Sequence, residues 1–295
     1  MMQRAIAVAL GVPDDRIDEL CPLVLITTTG DRIQDRRLIE SGGKALFTKE
    51  IEEALLDGRI DLAVHSMKDV PAEMPAGLAI AAVPEREDPR DAFVSKHWAT
   101  LHDLPQGAKL GTASLRRQAQ SLRMRPDLKI EMLRGNVDTR LRRLEDGDFD
   151  AILLAAAGLN RLGRGDVIRD CYDPQFNPPA PGQGALALQT RQADAGAAWL
   201  KPLHHAETAI RVAAERGALT ALEASCRTAI GAHAWFNGEA LHMVVEGLTA
   251  DGGEHWRAPR TLHPVSDDRE AEAFDWGLKV GREVRDMAGD RLVVA

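Results

Sequence analysis

The sequence predicts an α/β protein of two lobes followed by a small α+β domain. Short apolar runs of strand character alternate with amphipathic helical stretches through the first two thirds of the chain. Two proline-rich crossings, Pro84–Asp91 and Asn177–Gly184, interrupt that alternation, as a chain passing from one lobe to another and back requires. Beyond about residue 223 the order changes to strand, turn, strand and closing helix. The expected boundaries are 1–86 with 184–203 for the first lobe, 87–183 for the second, and 204–295 for the C-terminal domain.

Taken in order, residues 2–10 read as a helix ended by Gly11, and Leu23–Thr29 as a strand. Gly42-Gly43-Lys44 precedes a helix whose apolar face holds Leu46, Phe47, Ile51, Ala54 and Leu55, ended by Gly58. Strands follow at 59–65 and 78–83. In the second lobe, strands at 109–112, 128–133 and 151–156 each lead into a helix; Ser114 caps the first helix, and Asn136 is placed to cap the second. Residues 185–189 form a returning strand, and Ala206–Leu222 a long helix. The last domain offers strands at 230–235 and 241–248 about an Asn237-Gly238 turn, then a helix over 267–288.

Composition narrows the function classes. The 295 residues are 44% hydrophobic and 28% charged, the balance of an ordinary soluble globular protein. A net charge of -8 argues against general nucleic-acid binding but leaves room for a local basic cleft. The apolar start is too short to span a membrane and lacks a cleavage signature, so it reads as the tail end of a helix and no membrane association is expected, while the sparse cysteines suit a reducing cytoplasm. Cys21, Cys171 and Cys226 lie far apart without ligand spacing, so neither a disulfide framework nor a metal site is expected.

Two constellations carry chemistry. Val64-His65-Ser66-Met67-Lys68-Asp69-Val70-Pro71 follows a half-buried strand, and Pro71 forbids simple continuation of its ladder. Lys68 and Asp69 are therefore placed just past a strand's C-terminal end, where an ammonium and a carboxylate can hold an anion and stabilise a cation in a small space. In the second lobe, successive strands deliver Arg116 and Arg117, then Arg134 and Arg140, then Arg161 to one sheet edge beside Thr112, Ser114 and Asn136. Arginines in a first helical turn oppose the helix dipole unless an anion compensates, so this edge suits recognition of several carboxylates or phosphates. A solvated helix face explains Arg123, Arg142 and Arg143 better. Cys226 sits in the loop Glu223–Thr228 and is not singled out by chemistry alone.

Together Val64–Pro71, Gly42–Phe47, Glu85–Phe93, Gly111–Gln118, Leu133–Leu141, Ala157–Leu159 and Pro181–Ala185, in order over nearly the whole chain, resemble the porphobilinogen deaminase family. The resemblance implies two periplasmic-binding-protein-like (type II) lobes plus the small α+β domain. It implies a monomeric transferase of tetrapyrrole and heme biosynthesis that condenses four porphobilinogen molecules head to tail, losing ammonia at each step, before water frees hydroxymethylbilane. Growth would start from one dipyrromethane per chain, held by a thioether to the residue matching Cys226. Asp69 matches the catalytic carboxylate. Ser66, Lys68, Thr112, Ser114, Arg116, Arg117, Arg134 and Arg140 match groups holding the cofactor's carboxylates, and Arg161, Phe47 and Gln183 match residues of the substrate region.

Two departures stand out. Ala224-Ser225 occupies a place where relatives commonly carry glycines. The family also begins with a strand and a Thr-Arg-x-Ser turn, whereas here Met1 falls inside the helix that follows them. That leaves a start upstream of Met1, or a short form of impaired activity. A competing expectation is a non-catalytic two-lobe binding protein for carboxylate-rich ligands.

Overall fold

In the computed structural model, which describes residues 1–29, 48–222 and 229–292, the chain divides into two compact units. Unit one comprises residues 1–86 and 185–210; unit two comprises 87–184 and 211–295.

Unit one opens on α1 (Met2–Ala9) and the short α2 (Ile17–Leu20). Leu23–Thr29 is expected as a strand, but residues 23–28 carry no regular secondary structure, and Leu25 is 95% exposed. An isolated β-branched run is no strand without a ladder partner, and none of the described strands pairs with it. Helix α3 (Lys49–Leu56) buries Ala54 and Leu55, the latter packing against Ala63 and Leu78 of the sheet. That sheet has β8 (Leu186–Arg191) between β1 (Ala63–Ser66) and β2 (Leu78–Ala82), antiparallel to both. Strand β1 starts four residues later than its pattern implies. Arg59 and Ile60 donate their amides to Ala54 O, which continues the helix C-terminus as a turn instead of a ladder.

Unit two contains a five-stranded sheet of order β5-β4-β6-β3-β7. Strands β4 (Lys109–Gly111), β5 (Lys129–Glu131) and β6 (Ala151–Ala155) run parallel, with α4 (Leu115–Met124), α5 (Val137–Glu145) and α6 (Ala156–Arg161) following each in turn. Ser114 and Asn136 cap α4 and α5 by accepting from the amides of Arg117 and Thr139. Strand β6 is buried on both faces: Ile152 and Leu154 pack with Val94, Leu133 and Leu144, while Ala151 and Leu153 pack with Phe93, Leu110 and Tyr172. Each buried leucine, isoleucine or valine among them contributes about 1.5–3 kcal/mol by leaving water.

Strands β3 (Asp91–Val94) and β7 (Asp170–Cys171) fall outside the sequence expectation. All of β3 is buried, so no alternation marks it, and Asp91 at its start resembles the end of the charged crossing. Because β3 runs antiparallel to β6, with Asp91 opposite Ala155, that carboxylate lies at the same sheet edge as the strand ends leading to the arginines.

The C-terminal part of unit two is an antiparallel sheet of β9 (Ala229–Asn237), β10 (Ala240–Leu248) and β11 (His255–Leu262), followed by α8 (Arg269–Ala288). Strand β11 was also unmarked in the sequence, since an edge strand carrying Pro259 and several exposed residues shows no clean period. Helix α7 (Ala206–Leu222) lies so close to α8 that a Cβ on Gly217 would stand 2.1 Å from Phe274 O, and one on Gly277 2.0 Å from Ala214 O.

Candidate functional site

In unit one, β1 ends at Ser66 and the chain tightens into a 3-10 turn over Met67–Asp69, with Val70 N donating to Met67 O. Buried Met67 anchors the turn, and Met67 N donates to Ala185 O at 3.0 Å. Lys68 and Asp69 are thereby presented half-buried at the strand's C-terminal end. Behind them runs a buried polar chain that sequence reading missed. His65 Nε2 lies 2.8 Å from Gln189 Oε1, and Gln189 Nε2 donates to Glu52 Oε1 at 3.4 Å.

 Only Ser66 separates His65 from the turn. With Gln189 donating to Glu52, its carbonyl is left to accept, which makes His65 Nε2 the protonated nitrogen. Burial pushes the His65 imidazole below its ordinary value and keeps it neutral.

In unit two, Asp91, Arg116, Arg117 and Gln183 form one buried cluster. Arg116 Nη1 donates to Asp91 Oδ2 at 2.5 Å, and Arg117 Nε donates to Asp91 Oδ1 at 2.9 Å. Gln183 Nε2 donates to the same Oδ1 at 2.9 Å and to Pro89 O at 2.8 Å. Burial alone would raise the Asp91 carboxyl, but the two guanidiniums and these hydrogen bonds outweigh it and hold the group well below the usual carboxylate range. Arg117 also donates to Leu153 O and Gln183 Oε1, so its donors face inward. Arg116 Nε is buried without a hydrogen-bond partner.

The remaining sequence-derived residues of unit two lie along the same strand ends. Thr112 is buried, its hydroxyl accepting from Ser114 N at 3.2 Å. Arg134 and Arg140 are half-buried about the cap of α5, and Arg140 Nε donates to Gly135 O at 2.7 Å. Arg161, at the end of α6, donates from Nη2 to Gly184 O at 2.6 Å while its Nε is buried without a hydrogen-bond partner. Burial lowers the Arg161 guanidinium from its ordinary value, against the pull of Glu87. The structure thus gathers Thr112, Ser114, Arg116, Arg117, Arg134, Arg140 and Arg161 on the elements that follow β4, β5 and β6. It places Gln183 in the Asp91 cluster. Phe47, Gly42-Gly43-Lys44 and Cys226 lie outside the described residues.

A dipyrromethane carrying acetate and propionate groups is polyanionic, and the donor set at this edge fits it: several guanidiniums beside two hydroxyls, with a buried Arg116 Nε still unpaired. Among the described residues no cluster of histidine, cysteine and carboxylate side chains could hold a metal ion, and no helix is long and apolar enough to cross a membrane.

A family model described as porphobilinogen deaminase, dipyromethane cofactor binding domain, matches residues 3–198. The porphobilinogen deaminase of Caulobacter vibrioides strain NA1000 is 61% identical over 298 residues, covering 100% of this chain and 92% of that protein. That of Phenylobacterium zucineum is 58% identical over 299 residues, covering 100% and 93%. Among solved structures, the methionine-binding protein MetQ aligns with a TM-score of 0.40 at 17% identity, covering 68% of this chain and 83% of that one.

Proposed function

We infer the roles of individual residues from one premise: the chain belongs to the porphobilinogen deaminase family. It is a transferase of tetrapyrrole biosynthesis that joins four porphobilinogen molecules head to tail with loss of ammonia, water then releasing hydroxymethylbilane. Its cofactor is dipyrromethane. When bound, the dipyrromethane supplies the terminal pyrrole carbon from which the chain grows.

Cys226 is the residue we assign to the thioether. Asp69 is the catalytic carboxylate. Loss of neutral ammonia from the aminomethyl group of porphobilinogen leaves an electron-poor azafulvene cation, and a fixed carboxylate stabilises that positive charge and carries protons at the pyrrole nitrogens. The half-buried setting of Asp69 strengthens both effects relative to water. Lys68 and Ser66, beside it on the turn, bind carboxylate oxygens. Arg116, Arg134 and Arg140, with Thr112 and Ser114, bind the acetate and propionate groups of the cofactor, and Arg161 those of the incoming substrate. Arg117 and Gln183 serve this set through Asp91, to which both are hydrogen-bonded. Phe47 belongs with the substrate region.

The observation that supports this reading best is the delivery of arginines by three parallel strands to a single sheet edge, in a chain whose net charge is -8. Each pyrrole added brings two more carboxylates, so a local surplus of guanidinium is what the growing product demands. A net charge of -8 suits a protein without nucleic-acid partners, and a monomer working in the cytoplasm without membrane partners belongs to the same proposal.

Asp69→Asn tests the assignment. Turnover should fall by about a thousandfold or more, the scale of losing an electrostatic and proton-transfer group together, while the intact mass still shows the cofactor attached. Turnover at the wild-type rate would remove Asp69 from the mechanism.

A further inference from the structure

Helix α4 carries Arg116 and Arg117 on one side and is fastened on the other to the C-terminal sheet of the same unit. Ala119 packs against Ala229 and Leu248, Gln118 Nε2 donates to Ala250 O at 3.1 Å, and Gly252 comes so near that a Cβ would stand 2.3 Å from Ala119 O. Through this seam also runs a buried polar chain. Gln120, 1% exposed, accepts from Arg116 Nη1 at 2.8 Å through Oε1 and donates from Nε2 to Glu246 Oε2 at 3.0 Å. Glu246, on β10, is fully buried, with Arg257 at 3.5 Å and Arg123 at 3.7 Å from its other oxygen.

The direction of the chain is fixed. Flipping the Gln120 amide would set its NH2 against a guanidinium and its carbonyl against the Glu246 carboxylate and Pro178 O, to which Nε2 now also donates at 3.0 Å. Gln120 is therefore a neutral link between a buried cation and a buried anion. Arg116 is gripped from two sides, by Asp91 on the strand edge and by Gln120 backed by Glu246. A long arginine side chain loses most of its rotamer freedom in such a grip, so the guanidinium is held in one position before any ligand arrives.

We propose that Gln120 and Glu246 are positioning residues for Arg116, fixing from the C-terminal sheet the guanidinium that receives a cofactor carboxylate. This rests on the reading of Arg116 as a carboxylate-binding residue. Holding that guanidinium ready lowers the ordering that cofactor capture requires, so the pair acts on cofactor acquisition.

The test follows acquisition of the covalent adduct by intact mass, after porphobilinogen is added to whole chain produced without it, together with the melting temperature of the cofactor-free form. Gln120→Met, similar in length and without hydrogen bonds, should slow acquisition about tenfold, the effect of losing one charge-assisted hydrogen bond. E246Q should slow it as well. The exchange Q120E/E246Q, which again offers an acceptor to Arg116 and a donor to its neighbour, should recover most of the rate. A purely structural role would lower melting temperatures and leave the acquisition rate of the folded protein unchanged, and that result overturns the proposal. If Gln120→Met does not fold, E246Q and the exchange decide alone: slowing followed by recovery supports the pair, and wild-type rates in both refute it. R116K separates the premise from the inference. Wild-type acquisition by R116K overturns the reading of Arg116 itself, whereas slow R116K with fast Gln120→Met overturns only the positioning.

Discussion

Asp91→Asn removes the negative charge that Arg116, Arg117 and Gln183 share. Asp91 is 2% exposed and its two arginines 5% and 6%, so water cannot replace the lost counter-ion. Breaking a buried pair by neutralising one partner costs about 3–5 kcal/mol, and here two cations are left behind, so the loss should lie at the upper end of that range. Urea unfolding at neutral pH measures it. The pH dependence gives a second reading. Because the folded Asp91 carboxyl lies well below its unfolded value, the unfolded chain binds more protons as acid is added, and stability rises with pH through this window. The contribution is fully present above about pH 4, the ordinary carboxylate range, and is lost as pH falls towards the folded value. Asp91→Asn should lack that share of the acid loss. A change below about 1 kcal/mol at neutral pH, with the wild-type acid profile retained, would refute the counter-ion argument.

Other substitutions probe separate links. Gly252→Ala should destabilise by about 2 kcal/mol or more in a thermal melt, because a side chain there needs φ +71° and meets Ala119 O; an unchanged melt would show that the seam between α4 and the C-terminal sheet yields easily. Gln189→Leu leaves buried groups of His65 and Glu52 without their partner and should cost about 1–3 kcal/mol in urea, with neutral behaviour arguing that the chain beneath Asp69 contributes nothing. Cys226→Ser should abolish covalent retention of the cofactor, and a variant that still carries an adduct would point to Cys21 or Cys171 instead.

Where local chemistry set the structure, the sequence was readable. Ser114 and Asn136 announced their helices because a capping side chain is a local signal, and the parallel strands β4, β5 and β6 stood out as apolar runs before helices. The arginine edge followed from those strands alone. What escaped was decided by distant partners. Leu23–Thr29 has strand composition, yet composition cannot supply a ladder, and β11 hides its period behind edge exposure. Asp91, Gln120, Glu246 and Gln189 gave no signal, since a carboxylate or amide reads as surface until its buried partner, up to 137 residues away in the Glu52–Gln189 case, is known.

The central claim is that this chain builds and holds a dipyrromethane on Cys226. Intact mass of the purified, denatured 295-residue chain, followed by peptide mapping across Glu223–Thr228, tests it most directly. The account expects a mass gain of one dipyrromethane, confined to the peptide containing Cys226 and absent from Cys226→Ser. A bare thiol in protein supplied with porphobilinogen, or an adduct on another residue, would contradict it.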